Sequence, residues 1–370
     1  MKGTIVYYGG FALPDKSASA NRVVSNGKLF DAIGYKTVFL GSDYENSFVG
    51  IKRLSDNMYL EAHPVSSKDW LKSIVSFNNL KAFISNFQDV KMVLLYNVSF
   101  ITLVLAKRFF LKKGITVAYD CTEWTQFTEG SFLKKTFKFI DEFFIRKFAH
   151  KAADKMIVIS SLMEKAYLSK KKILRLPPLV DLNDDIWHQP IEKNEEFFTF
   201  CFAGFPDGNK DSLDKVVEAF QLLDAENTKL NVVGVTKQDF EKLYPNTNVP
   251  DESNISFLGK QTHKDTIKYV LNSDCYIFIR TSDRRNNAGF PTKFAESFTC
   301  GCLIITTDVS DIKDFIAASS DSIVLNNTDL TNIHNAMIKV FKNNESRREK
   351  TLRTDFYYAE YIEKTKQWIE

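Results

Sequence analysis

Cys275-Tyr276-Ile277-Phe278-Ile279, a loop over 280–287, and then Ala288-Gly289-Phe290-Pro291-Thr292-Lys293-Phe294-Ala295-Glu296-Ser297-Phe298-Thr299-Cys300-Gly301 carry the reading of the fold. The first run, apolar and rich in aromatic and β-branched residues, reads as a buried strand. Pro291 stands where a helix begins and Gly301 where one ends, the normal asymmetry of those residues. The segment is therefore strand, loop and short helix. Gly289 permits close approach of backbone to a ligand. The helix start offers N–H groups and the positive end of a dipole, a site for phosphate. Lys293 adds a charge in the first turn. Glu296 lies a turn further on near the same face, where a carboxylate accepts two hydrogen bonds from a ribose diol. The plain alternative is a turn followed by a solvated glutamate.

The same rhythm extends outward. Strands are expected at 4–8, 36–40, 92–96, 116–120 and 156–160, then at 198–203, 230–234, 255–258, 275–279 and 303–307. Helical patterns fit between them, such as Leu330, Ile333, Met337, Val340 and Phe341. Strand–helix alternation implies parallel sheets with helices on both faces. The rhythm breaks once, at Pro177-Pro178 and the acidic, irregular run through Asp184-Asp185, Pro190 and Glu195-Glu196. The expected organisation is a first domain over 1–178, a linker over 179–196 and a second domain over 197–351. A terminal helix over 352–370, with Phe356, Tyr357, Tyr361 and Trp368 on one face, is expected to pack back on the first domain. The fold class is α/β, with two Rossmann-like doubly wound domains facing each other across a deep cleft. Ligands in such sheets bind beyond the carboxyl ends of the strands, and sites favour domain interfaces.

Composition agrees. The chain has 370 residues, 44% hydrophobic and 26% charged, which excludes a disordered chain, a collagen and a disulfide mini-protein. Its net charge of +3 does not point to nucleic acid. Five scattered cysteines without a CxxC argue against an oxidised framework or a zinc ribbon, and Cys300 and Cys302 read as small buried hydrophobes. The apolar run at 4–8 is too short for a signal peptide and no stretch spans a membrane, so the cytoplasm is the expected location. No Asp-x-Asp occurs, and the histidines at 63, 150, 188, 263 and 334 lack metal spacing, so no metal site is expected. Neither a Gly-x-Ser-x-Gly elbow nor a G-x-G-x-x-G fingerprint is present.

A second motif is Phe200-Cys201-Phe202-Ala203-Gly204-Phe205-Pro206-Asp207-Gly208-Asn209-Lys210-Asp211. It reads as a strand ending at Ala203, a loop carrying Gly204, and a helix starting near Asp211. Lys210 would reach a diphosphate as a point charge; by itself it is a solvated loop lysine. Taken together, the two motifs resemble the retaining glycosyltransferases of the GT-B fold, family 4. Gly204 to Lys210 has the spacing of the family's Gly-x5-Lys element. Ala288-Gly289-Phe290 through Glu296 has that of its Glu-x7-Glu element. The run from Ala288 to Ser297, with the following Gly301-Cys302-Leu303-Ile304-Ile305-Thr306-Thr307-Asp308, resembles a bacterial branch that builds surface polysaccharides. The segments 154–161 and 176–181 are similar to the family's first-domain end and linker.

The resemblance implies that Lys210 neutralises a donor diphosphate, UDP- or GDP-linked. The backbone at Gly289, Phe290 and Thr292 would cradle phosphate and sugar, and Glu296 would hold the ribose. Gly204 and Lys293 belong to the same site. Two departures stand out: Ala288 replaces the family's first glutamate, and Phe205 replaces an arginine for which Arg280, Arg284 or Arg285 offers a substitute, Arg280 being best placed. On the acceptor side, Gly10 ends the first strand in a loop the family brings near the donor phosphates. Arg22 reads as a surface residue or a substrate contact. Asp120 and Glu123 are candidates to orient an acceptor hydroxyl, or alternatively a cap or an ion pair. The acceptor implied is a saccharide or a polyprenyl-linked saccharide. Within 132–155, lysines interleave with phenylalanines, which suits an interfacial helix on an anionic membrane surface; the plain alternative packs the apolar face on the first sheet. The rivals to transfer are a nucleotide-sugar epimerase of the same architecture and an inactive nucleotide-sugar binding subunit.

Overall fold

A strand covered by helices on both faces must be apolar along its length. β1 (Thr4–Gly9) meets that condition: five of its six residues are buried. The computed structural model describes the chain except residues 46–47, 49, 64–73, 75–76, 125–131, 168–171, 193–195, 207–210, 224, 251–253, 318–320 and 344–349. The chain divides into two units, Met1–Asp181 with Tyr357–Glu370, and Leu182–Phe356.

In the first unit β1 is joined by β2 (Lys36–Asp43), β3 (Ile51–Arg53), β4 (Met58–Ala62), β5 (Val90–Tyr96), β6 (Thr116–Cys121), β7 (Lys155–Val158) and β8 (Ile173–Arg175). They form one eight-stranded sheet in the order β3-β4-β2-β1-β5-β6-β7-β8. Every pair is parallel except β3 with β4. The short edge strand β3 was not anticipated from sequence. All three of its residues are exposed, so no buried face marks it.

The second unit has β9 (Phe198–Ala203), β10 (Thr228–Val233), β11 (Ile255–Phe257), β12 (Cys275–Phe278), β13 (Leu303–Thr307) and β14 (Ile323–Leu325). They form an all-parallel six-stranded sheet in the order β11-β10-β9-β12-β13-β14. Counted from β9, that order is 3-2-1-4-5-6, the doubly wound arrangement. All five cysteines are free and buried.

The boundaries differ from the sequence reading in two respects: the second unit runs over Leu182–Phe356, so it takes both most of the expected linker and Phe356, which packs on Phe298 and Phe315 there and not on the first domain. Residues expected in a linker pack on the second unit: Gln189 Nε2 donates to the Lys264 carbonyl at 2.9 Å, and the Glu192 N–H to Asn272 Oδ1 at 2.6 Å. Trp187 is buried there. From Tyr357 on, the terminal segment belongs to the first unit. Tyr357 pairs with Val180, Trp368 Nε1 donates to the Lys172 carbonyl at 3.1 Å, and Lys155 Nζ donates to the carbonyls of Trp368 and Ile369. Its α-helix starts only at Ile362.

Two further expectations change. Arg22, read as a surface or substrate-contacting residue, is buried, and Asp120 is fully buried. The Asp120 carboxylate accepts from the Tyr7 hydroxyl and, at 3.0 Å, from Arg22 Nη2. Arg22 Nη1 donates to the carbonyls of Leu176 and Pro177 at 3.0 Å each, and Asn26 Nδ2 donates to the Tyr7 hydroxyl at 3.2 Å. Burial, and then the neighbouring Asp120 charge, push the Tyr7 hydroxyl well above its ordinary range. Asp120 is therefore the anion of a core network tying β1, β6 and the chain at 176–177, not a group offered to an acceptor.

The helix Phe132–Ala152 departs from the plain reading. Its inward residues are Glu142, Ile145, Ala149 and His150, while Phe139, Ile140, Phe143 and Phe144 are 61%, 48%, 45% and 38% exposed. It packs mainly on the helix Phe100–Leu111, where the Phe100 and Phe144 rings stack at 5.4 Å. Glu142, Ile145, Ala149 and His150 fill the inward face, and Phe139, Ile140, Phe143 and Phe144 are left outside.

Removing one partner of a buried ion pair strands the other. Asp120→Ala should cost the first unit about 3–5 kcal/mol in urea unfolding, whatever its effect on turnover.

Candidate functional site

β9 and β12 are neighbours from which the chain runs in opposite directions across the sheet, so the crevice of the second unit lies between them. Their ladder is brief, Cys275 with Phe200 and Tyr276 with Cys201. Beyond it the strands part, and Ala203 loses its partners on that side. The buried Tyr276 hydroxyl replaces both, donating to the Ala203 carbonyl at 2.8 Å and accepting from its N–H at 3.2 Å. Unpaired buried peptide groups are costly, so this hydroxyl stabilises the opening.

At the opening the chain turns at Gly204 with φ +130°, and a Cβ there would lie 3.0 Å from Lys293 Nζ. The positive φ favours glycine, while the close approach is to the flexible end of a lysine, which can yield. Asp211 pairs through its backbone with Arg280, the residue at the mouth of β12. Its carboxylate is 3% exposed and both oxygens are engaged: Arg280 Nε donates to Oδ1 and Lys293 Nζ to Oδ2, each at 2.6 Å. The Lys293 ammonium also lies 4.7 Å from the centre of the Phe202 ring. Burial alone would raise the Asp211 carboxyl, but Lys293 and Arg280 outweigh it and hold the group below its ordinary value.

Lys293 comes from the first turn of the helix Thr292–Thr299, which begins after Pro291 as the sequence indicates. Gly301, φ +71°, ends it: a Cβ there would strike the Thr351 carbonyl at 2.5 Å. The inward residues Phe294 and Phe298 join Phe290, Phe315 and Phe356 in one aromatic cluster, with Phe315 and Phe356 centred 4.6 Å apart. Phe290 thus anchors the loop from the core and has only backbone to offer a ligand. Glu296, on the other side of this helix, holds its Oε1 3.0 Å from Nε2 of His263, the first residue of the helix His263–Leu271.

The loop before the helix is more ordered than its sequence indicates. Arg284–Ala288 form a short helix capped by Asp283, whose Oδ1 accepts from the Asn286 N–H at 2.7 Å. Gly289 has φ −73° and ψ −175°, an extended conformation open to any residue. Its carbonyl accepts from Ser310 Oγ at 2.5 Å. Phe205, beyond Gly204, is 63% exposed.

The second-unit residues Gly204, Arg280, Lys293 and the start of the helix at Thr292 are therefore brought together, with Glu296 further along the same helix. Lys210 lies outside the described residues. Asp211 and His263 were not singled out from sequence: Asp211 appeared only as the place near which a helix starts, and His263 only as a histidine without metal spacing. Nothing local joins residue 211 to 280 and 293. In the first unit Gly10 is exposed beside β1, with a notional Cβ 3.1 Å from the Tyr44 hydroxyl, and Glu123 is exposed while Asp120 is not.

A depressed carboxyl contributes stability that is fully present above its ordinary value, 3.8, and lost as pH falls through the lower folded value. Urea unfolding of Asp211→Asn should show a stability deficit that is constant between about pH 5 and 8 and closes below about pH 4.

Residues 183–352, nearly the whole second unit, match the family model described as Glycosyl transferases group 1. Among curated proteins no sequence matches the chain. Solved structures do. Sucrose-phosphate synthase from Thermosynechococcus elongatus aligns over 99% of this chain and 98% of its own, with a TM-score of 0.70 and 13% identity. WaaG, a glycosyltransferase involved in lipopolysaccharide biosynthesis, aligns over 99% of both chains at 0.64 and 14%. Anabaena HepE in complex with UDP and glucose does so over 99% of both at 0.64 and 11%. At such identities the likeness establishes architecture: the chain has the GT-B fold, and the Glycosyl transferases group 1 match lies on its second unit.

Proposed function

We propose that this chain is a retaining GT-B glycosyltransferase that moves a sugar from a UDP- or GDP-linked donor onto a saccharide or polyprenyl-linked saccharide in surface-polysaccharide synthesis. The observation that carries the reading is the cluster at the β9–β12 crevice, with Gly204, Arg280 and Lys293 beside the start of the helix that bears Glu296. In this reading Arg280, Lys293 and Lys210 balance the diphosphate charge, the backbone at Gly289, Phe290 and Thr292 receives phosphate and sugar, and Glu296 accepts from the ribose hydroxyls. These cations and the helix start do the work of a metal ion, so transfer is metal-independent.

Transfer breaks the bond between the anomeric carbon and the leaving phosphate oxygen and forms one to the acceptor oxygen on the same face. The acceptor proton passes to the leaving phosphate. Positioning and charge stabilisation then carry most of the rate. Glu123 belongs to the acceptor side, and the loop at Gly10 serves the donor phosphates. HepE holding UDP and glucose and WaaG acting in lipopolysaccharide biosynthesis are in keeping with this reading.

A peripheral seat on the inner face of the cell membrane is part of the proposal. Among the described residues no helix is long and apolar enough to cross a membrane. The helix Phe132–Ala152 instead exposes Phe139, Ile140, Phe143 and Phe144 among Lys138, Lys147 and Lys151. Its acidic residues face inward: Glu142 is buried, and Asp141 accepts from the Phe100 N–H at 2.7 Å, with burial pushing its carboxyl up to about 6. An apolar ridge with only basic exposed charges suits anionic lipid.

Saturating UDP or GDP, in EDTA, should raise the melting temperature, and ligand at about 100 times its dissociation constant adds about 2.7 kcal/mol. Glu296→Ala should lose most of that shift; no shift by either nucleotide in the wild type overturns the donor site. In flotation, the chain should rise with phosphatidylglycerol-containing vesicles and not with neutral ones, and Phe139→Ser with Phe143→Ser should abolish it.

A further inference from the structure

The geometry points to Asp211 as the positioning residue of the diphosphate subsite, a group that touches no ligand but sets where Arg280 and Lys293 stand. This rests on the nucleotide-sugar reading above. Asp211 is held by main chain before its side chain acts: it pairs with Arg280, the next N–H (Ser212) donates to the Ile279 carbonyl at 2.9 Å, and its own carbonyl accepts from the Tyr244 hydroxyl at 3.3 Å. From that fixed place each carboxylate oxygen takes one cation from a different element, Arg280 from the mouth of β12 and Lys293 from the helix Thr292–Thr299.

Burial orders the three groups. Asp211 is 3% exposed, while Arg280 and Lys293 are 14% and 16% exposed, so the anion lies beneath and the cations form the outer layer. Two cations against one carboxylate leave one positive charge at the surface, beside Gly204. A guanidinium and an ammonium brought this close repel each other, and the shared carboxylate makes their proximity favourable. Phe205 follows Gly204 where the resembling enzymes carry an arginine. The charge missing from that loop is thus supplied across the crevice by Arg280, and Asp211 is what brings it there.

The sign of one substitution separates positioning from charge counting. Asp211→Asn makes the site more positive, so charge alone predicts equal or tighter binding of an anion. Positioning predicts the reverse, and predicts it for the second phosphate. Calorimetric titration would compare UDP with UMP, and GDP with GMP, on wild type, Asp211→Asn and Asp211→Glu, each checked by a cooperative melt. The wild type should prefer diphosphate to monophosphate. Asp211→Asn should lose about tenfold or more for the diphosphate with the monophosphate unchanged, and Asp211→Glu should recover part of the preference. Asp211→Asn binding diphosphate as tightly as wild type, or losing both nucleotides equally, overturns the positioning role and leaves the nucleotide reading standing. A wild type that binds none of the four overturns that reading and the role with it. Should Asp211→Asn not fold, Arg280→Lys keeps the charge but changes its reach; a lost diphosphate preference supports the role and an unchanged one overturns it.

Discussion

Much of the second unit follows from the parting of β9 and β12. Parallel strands that leave each other open a crevice at their carboxyl ends, but they also orphan peptide groups. The Tyr276 hydroxyl meets the N–H and the carbonyl of Ala203 at once, and so lets the sheet open without an unsatisfied donor or acceptor. Everything placed in the crevice needs that opening: the turn at Gly204, the reach of Lys293 over Phe202, and the return of the chain at Asp211 to pair with Arg280.

The two units hold buried charge in different ways. In the first, Asp120 and Arg22 are both enclosed, and Arg22 Nη1 donates to the carbonyls of Leu176 and Pro177 while the buried Nε has no hydrogen-bond partner. Such a pair organises a core, and it adds little beyond a well-packed apolar alternative. In the second, Asp211 is enclosed while its cations stay partly open. A buried anion beneath accessible cations stores positive potential at a surface, which is useful only if something negative arrives. The helix Thr292–Thr299 serves both tasks: its phenylalanines lock into the aromatic cluster while Lys293 and Glu296 remain at the surface.

Local chemistry was legible where one segment contains its own cause. Pro291 and Gly301 bracket a helix because one cannot donate early in it and the other accepts a positive φ at its end. The alternation of apolar strands with amphipathic helices announced two parallel sheets. Strands β3, β4, β8 and β14 were not read from the sequence: β3 is exposed along its length, β8 and β14 have three residues each, and β4 has a single buried residue. Asp120 and Glu123 looked equivalent, since both end the same strand region, yet one is enclosed and the other exposed.

The sequence by itself determined the α/β class, the second-unit motif from Gly204 and the block from Cys275 to Gly301, because those depend on periodicity and on residues a few positions apart. Only the tertiary structure decided which charges meet. Asp211, Arg280 and Lys293 are up to 82 positions apart, and Arg22 and Asp120 are 98 apart. No local pattern encodes such a meeting. It is set by strand order, which brings the ends of β9 and β12 together. The outward turn of Phe139, Ile140, Phe143 and Phe144 is likewise a tertiary choice, made when Ile145 and Ala149 packed inward and left the larger rings outside.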